Sequence, residues 1–247
     1  MAELEAAFGA LHPGQLVVAN LIVLAATAVQ AATGIGFALI AIPLLALVDL
    51  SFVPGPSVFV ALFLALFMTS AGRTVIVREE LLPVGAGVVA GAALGAVLLI
   101  FLDLANMAPV FGGVILAAVA ISLTGLHLPF TLRNLVGVGS IAGVMGVLSG
   151  IHGPPLALLY QRSEPEKARA MIASIFFVAY IATIAALASA GYFGVREILL
   201  GLALMPGFLL GYVLARRYLV IRNPAAFRRG VLVIAAASAI ALMFKAP

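Results

Sequence analysis

Cysteine and tryptophan are both absent from this 247-residue chain, and charge is scarce, at 9% of residues. Without cysteine there is no disulfide, no thiolate metal site and no dithiol redox pair. Without tryptophan, half of the aromatic pair that marks membrane interfaces is missing, and five tyrosines must serve instead. Scarce charge excludes an ordinary soluble domain, which carries about 25% charged residues. It also excludes a disordered chain, which needs high charge and few apolar residues. What is present is apolar: 65% of the chain is hydrophobic. The net charge of +4 is therefore read first as a topology signal, and no nucleic-acid partner is expected.

A membrane-crossing helix needs about 20 apolar residues. Apolar runs cover 15–48, 57–72, 82–102, 108–126, 134–161, 170–190, 198–215 and 230–245, and the charges fall almost entirely between them. The runs are long and lack the alternation of an outer-membrane strand. The expectation is an all-α polytopic membrane protein with no separate soluble domain. Met1–Gly14 carries Glu3 and Glu5 but no Lys or Arg, so a cleaved signal peptide is not expected.

Two runs are too long for one helix and are interrupted. Residues 15–48 would extend about 51 Å as a helix, with Thr33-Gly34-Ile35-Gly36 in the middle and Pro43 later. Residues 134–161 would extend about 42 Å and contain Ser149-Gly150-Ile151-His152-Gly153-Pro154-Pro155. A continuous helix cannot run through Gly-Pro-Pro, where two backbone donors are missing. Both runs read as broken hairpins, the second with its tip inside the bilayer.

Basic residues discriminate between topologies. If both odd runs return to their starting side, one face holds Arg73, Arg78, Arg133, Arg162, Lys167, Arg169, Arg216, Arg217, Arg222, Arg228 and Arg229. Only Arg196 and Lys245 fall on the other. If the second run crosses once, the split becomes five against eight. The positive-inside rule favours the first arrangement, with both termini outside. Each half then holds one hairpin and three spans, so 1–126 and 127–247 are expected to be inverted repeats. An offset of 116 supports this: it carries Thr33 to Ser149, Gly34 to Gly150, Gly91 to Gly207 and Gly95 to Gly211.

Inverted repeats with broken helices point to a secondary transporter whose site lies near the bilayer midplane. A break exposes backbone N–H groups at the start of its second half-helix, where the dipole favours an anion. Thr33 and Ser149 are placed to cap or contact such a ligand, Gly36 and Gly153 leave room for it to reach the backbone, and Pro154 suits a first helical turn. These motifs carry a resemblance. Residues Thr33 to Leu45 (TGIGFALIAIPLL) and Ser149 to Leu158 (SGIHGPPLAL) resemble the sulfite exporter family, also called TauE/SafE. The chain departs from many members in lacking a dense Gly-Gly-Gly run and in carrying His152 where a small residue is common. The resemblance implies export of sulfite, an organosulfonate or a related sulfur-containing anion across the bacterial inner membrane, with no cofactor.

His152 is the only ionisable residue at either break, a candidate for anion binding or for a coupling proton, against the alternative of steadying its turn. Gln30, one turn before the first break, joins the candidate site. Asn20 and Gln161 line a cavity or tie helices together. Tyr180 and Thr183 share one helix face and line the cavity or pack helices. Arg73 and Arg169 mark topology or an anion vestibule. Gly87, Gly91, Gly95, Gly207 and Gly211 are expected to be close-packing surfaces, Asp49 and Asp103 interfacial, and His12 and His127 solvated. The site set is thus Gln30, Thr33, Gly34, Gly36, Ser149, Gly150, His152, Gly153, Pro154 and Tyr180, with no catalytic or metal residue. Partners are the anion, lipid headgroups, a coupling proton and, in a homodimer, a second copy of the chain. The rivals are an anion channel, a carrier of another small organic anion, and an intramembrane enzyme. The enzyme is disfavoured: Gly146 to Gly150 misses a Gly-x-Ser-Gly pattern by one residue, and no histidine follows His152 to act as base.

Overall fold

A computed structural model describes residues 11–71, 76–102, 107–218 and 224–244. Arg73, Asp103, Arg222, Lys245 and the acidic Glu3 and Glu5 lie outside the described residues. Among the described residues ten α-helices follow in order: α1 Pro13–Thr33, α2 Phe37–Val48, α3 Gly55–Ala71, α4 Arg78–Ile100, α5 Met107–Leu123, α6 Leu132–Ser149, α7 Gly153–Tyr160, α8 Pro165–Ser189, α9 Val195–Tyr218 and α10 Pro224–Met243. A single 3-10 turn, Leu50–Phe52, precedes α3, and no strand occurs among the described residues. Six helical stretches among the described residues are long and apolar enough to cross a membrane. Each expected apolar run becomes one helix, except that 15–48 and 134–161 each divide into two.

Both divided runs double back. The Gln15 side chain, near the start of α1, donates to the Val48 carbonyl at the end of α2 (3.4 Å). Leu128 N, just before α6, donates to Leu158 O near the end of α7 (3.0 Å), and the Phe130 and Tyr160 rings meet at 5.3 Å. The local chemistry explains the turns. Pro13 opens α1, where a missing donor costs nothing. Gly34 (φ 91°) and Gly150 (φ 80°) close α1 and α6 in the left-handed conformation that glycine adopts without strain.

Small residues bring the long helices together. A Cβ on Gly87 or Gly91 of α4 would overlap the Val136 or Ser140 carbonyl of α6, and one on Gly139 or Gly143 would overlap carbonyls of α4. Gly207 and Gly211 of α9 stand in the same way against the Asn20 and Leu24 carbonyls of α1. Close backbone approach of this kind drives helix association in lipid, where burial of apolar area gives little. These glycines are packing surfaces, as expected. The offset is corrected, however. Val136 and Ser140 follow Asn20 and Leu24 by 116, but the glycines that meet them, Gly87 with Gly207 and Gly91 with Gly211, differ by 120. The motif lies one helical turn further along than a constant offset of 116 places it.

Asn20 adds a polar clamp to that seam. Its amide donates to Ala203 O (2.9 Å) and accepts from Gly207 N (2.8 Å), beside Pro206 inside α9. The side chain thus satisfies two groups of a ladder that the proline interrupts. Asn20 ties helices rather than lining a cavity. Gln161 likewise donates to the Gly125 and Leu126 carbonyls and ties the end of α7 to a loop. Asp49 accepts from Ser51 N and caps the 3-10 turn.

The described cations gather at one end of the bundle, called the basic end below. Arg78 opens α4, Arg133 lies in the first turn of α6, and Arg162, Lys167 and Arg169 surround the start of α8. Arg216 and Arg217 close α9, and Arg228 of α10 donates to Ser122 O at the end of α5 (2.6 Å). Arg196 stands at the opposite end, where Gly55 packs against its neighbour Glu197.

The packing yields a test. Gly91→Leu should lower unfolding stability in detergent by ~2 kcal/mol or more, because the collision is with backbone that cannot move aside. Gly113→Ala, which meets nothing within 4 Å, should stay within ~0.5 kcal/mol of the parent protein. Equal melting temperatures for the two variants would contradict the seam.

Candidate functional site

The two breaks are built from the same hydrogen bonds. At the first, Gly34 N donates to Gln30 O, Thr33 Oγ1 donates to Val29 O, and Ile35 N donates to Thr33 Oγ1. At the second, Gly150 N donates to Gly146 O, Ser149 Oγ donates to Met145 O, and Ile151 N donates to Ser149 Oγ. Every partner differs by 116. Thr33 and Ser149 therefore serve the turns first: each hydroxyl links the last helical turn to the residue beyond the glycine.

The side chains that bridge the breaks are reciprocal. Gln30 reaches forward across the first break, and its Oε1 accepts from Phe37 N at the start of α2 (3.0 Å). The residue six further on is Gly36. In the second break the order reverses: Gly146 stands before the turn and His152 after it. The imidazole folds back over Gly146, so that a Cβ there would overlap Nε2 and the ring carbons beside it. One polar side chain spans each break, an amide in one and an imidazole in the other; Gly146 leaves room for the imidazole, whereas Gly36 lies against Val29.

Helix α8 joins them. His152 Nε2 pairs with Thr183 Oγ1 at 2.9 Å. Its ring meets Tyr180 edge-on at 4.9 Å and lies 6.5 Å from Phe176. The Tyr180 side chain in turn meets Gln30. Gln30, His152, Tyr180 and Thr183 are each at most 1% exposed. The tips also touch directly, since a Cβ on Gly153 would stand 3.1 Å from Ile35 Cγ2. The result is a buried polar chain, Gln30–Tyr180–His152–Thr183, running from one break to the other through a region otherwise filled by apolar side chains. Gln30 Nε2 and Thr27 Oγ1 are buried without a hydrogen-bond partner of good geometry, while the second His152 ring nitrogen faces the Gly150 backbone. Buried polar groups left this way cost about 1–3 kcal/mol each and so suit a ligand.

Of the residues expected from sequence, Gln30, His152, Gly153 and Tyr180 come together, with Gly36 and Pro154 beside them in the turns. Thr33 stands apart: it is exposed, and its hydroxyl is turned to Val29 O and Ile35 O. Gly34 lies against Arg169, whose Nη2 donates to Ala32 O at the C-terminal end of α1 (2.9 Å). The first tip thus reaches the basic end. Gly150 packs on Ile42 and Val58. Thr183 was legible only as a face shared with Tyr180, and Thr27 and Phe176 gave no signal because an apolar helix hides which face meets the break.

The helix starts offer fewer donors than two free N-termini would. Phe37 N is taken by Gln30, which leaves Ala38 and Leu39 in the first turn of α2. Pro154 and Pro155 follow Gly153 in α7, so Gly153 N is the one donor among its first three residues. Side chains must supply what the backbone does not. No metal-binding group of three or more His, Cys, Asp or Glu occurs among the described residues.

Comparison with known proteins identifies a family. The family model described as Sulfite exporter TauE/SafE matches residues 19–242. No curated protein and no solved structure matches the chain.

The reciprocal arrangement predicts a suppressor. Gly146→Ala should push the imidazole off Thr183 and lower the melting temperature in detergent, at a cost of about 1–3 kcal/mol for the group left unpaired. Adding His152→Gly should recover part of that loss, because the inserted methyl then has room. A double variant less stable than the single would refute the placement of the ring.

Proposed function

The chain belongs to the sulfite exporter TauE/SafE family, a family of membrane transporters of sulfur anions, and from that membership we propose a secondary carrier. It exports a small sulfur-containing anion, sulfite or an organosulfonate, by exposing one site alternately to each side of a bacterial inner membrane. The observation that carries this reading is the buried polar chain between the two breaks. A fixed site held by two crossing hairpins is what alternating access requires.

The anion is held by Ala38, Leu39 and Gly153 backbone donors together with Gln30, Tyr180, His152 and Thr183. An anion without a buried Arg needs many weak donors converging from different elements, and two amide or imidazole side chains supply the strongest of them. Depleted donors at α7 make His152 more important than Gln30. A protonated imidazole would pair with the anion directly, which makes His152 the coupling-proton candidate.

The two halves, 1–126 and 127–247, are inverted repeats in this reading. Support comes from paired contacts: α1 packs on α9 as α6 packs on α4, and α2 on α10 as α7 on α5, while α3 meets α8. The basic end faces the cytoplasm by the positive-inside rule. The first helix then starts outside and α10 ends outside, since Gly112 near the start of α5 packs on Met243.

Counterflow tests the proposal. Proteoliposomes preloaded with unlabelled sulfite or a short organosulfonate should take up labelled ligand faster than empty ones, and the rate should saturate. Gly153→Val, which drives a branched side chain into Ile35, should reduce the rate by at least about tenfold, equivalent to ~1.4 kcal/mol. Uptake that is linear in concentration and indifferent to preloading would identify a channel instead. Thermal stabilisation by an amino acid or a sugar, with no effect of sulfonates, would overturn the anion assignment.

A further inference from the structure

The basic end carries a second cluster of polar groups, separate from the breaks. Lys167 Nζ at the start of α8 lies 2.5 Å from Glu80 Oε1 at the start of α4, with the side chains 29% and 13% exposed. The same ammonium stands 5.0 Å above the Phe130 ring, in the loop before α6, and Phe130 packs on Tyr160 at the end of α7. The Tyr160 hydroxyl faces Glu80. Tyr160 Oη and Glu80 Oε2 are both buried without a hydrogen-bond partner of good geometry. Four elements thus converge on one ion pair, the only one between separate elements among the described residues.

The opposite end is built differently. There the acid in the first turn of α9, Glu197, accepts from Gly194 N (2.8 Å) and stands 3.6 Å from Arg196 of its own turn. Beside it opens a cavity of about 210 Å³ bounded by Leu50, the Val53–Pro56 turn, Tyr192 and Arg196. The cavity reaches Val147, two residues before Ser149. Its volume suits a small oxyanion with a few waters. The cavity stops short of the buried second break, and the basic end holds no such opening but the cluster of Lys167, Glu80, Phe130 and Tyr160.

We infer that this cluster is the gate at the basic end: the Lys167–Glu80 pair must part, and Tyr160 swing with α7, before the site can exchange ligand on that side. The inference rests on the carrier reading above. A partly buried pair suits the task, because its desolvation cost nearly cancels its attraction, so opening is not prohibitive. The Tyr160 hydroxyl and Glu80 face each other without a well-formed hydrogen bond, so both gain water when the cluster opens. Helix α7 is the natural lever. It runs eight residues from Gly153 at the break to Tyr160 at the gate, about 12 Å.

The absence of cysteine makes the test clean. Leu159 is fully buried in α7 behind the cluster, and Leu159→Cys gives a single thiol. In nanodiscs it should react slowly with a charged maleimide. Adding Lys167→Met or Glu80→Gln should raise the labelling rate about tenfold, and the exchanged pair, Glu80→Lys with Lys167→Glu, should return it toward the starting value. Lys167→Arg, which keeps the charge, controls for folding. Labelling rates that stay equal across these variants, with only melting temperatures changing, would overturn the gate and leave a merely structural pair. Labelling needs no substrate, so absence of counterflow in every variant would remove the carrier reading while the labelling outcome still judges the gate.

Discussion

A helix that breaks where side chains close around it must have its freed peptide groups satisfied by the protein itself, because little water is there to do it. Most of the structure follows from how two breaks meet that demand. Each uses a left-handed glycine whose N–H returns to the last turn, and each uses a hydroxyl that clasps the following N–H. Each then needs one polar side chain across the gap. Gln30 provides it from before the turn and His152 from after it, and Gly146 leaves the imidazole its room. Gly146 is therefore as necessary as the imidazole it faces.

That reciprocity leaves the two sites chemically unequal. The first break ends beside Arg169 at the basic end, and its tip hydroxyl, Thr33, is exposed. The second is sealed, with Ser149 and His152 fully buried. Two prolines strip donors from α7 but not from α2, and the imidazole stands where donors are fewest. Helix α8 reconciles the halves by offering Tyr180 to Gln30 and Thr183 to His152. The site is thus shared among three elements that are distant in sequence, and it can change shape when any of them moves.

Much of the architecture was legible in the residues. Long apolar runs divided by charge gave every helix, since an 18- to 25-residue apolar stretch has no other stable form in lipid. Gly-rich and Pro-rich interruptions located both breaks, because only those residues force a turn there. Gly34 and Gly150 align by 116, and the backbone bonds agree. Depth and direction were less legible. Thr33 reads like Ser149 in sequence, yet it is exposed at the basic end beside Arg169 while Ser149 is fully buried, because α1 ends at the basic end and α6 begins there. Glycine periodicity says that a helix approaches another closely but not at which turn, so the Gly87 and Gly207 correspondence emerges only from their contacts. Thr183 and Glu80 carry no motif. Their roles come from what faces them across the bundle, His152 and Lys167, and a single chain read along its length does not show that.

The central claim is that the imidazole between the breaks is where the anion is felt. A protein with His12→Gln and His127→Gln retains one histidine, His152, and ¹⁵N labelling then reports that ring alone. Titration with sulfite or a short sulfonate in nanodiscs should shift both ring nitrogen signals and saturate at the concentration that half-saturates counterflow. Ring signals that stay fixed while the ligand demonstrably binds would contradict the account and place the anion elsewhere.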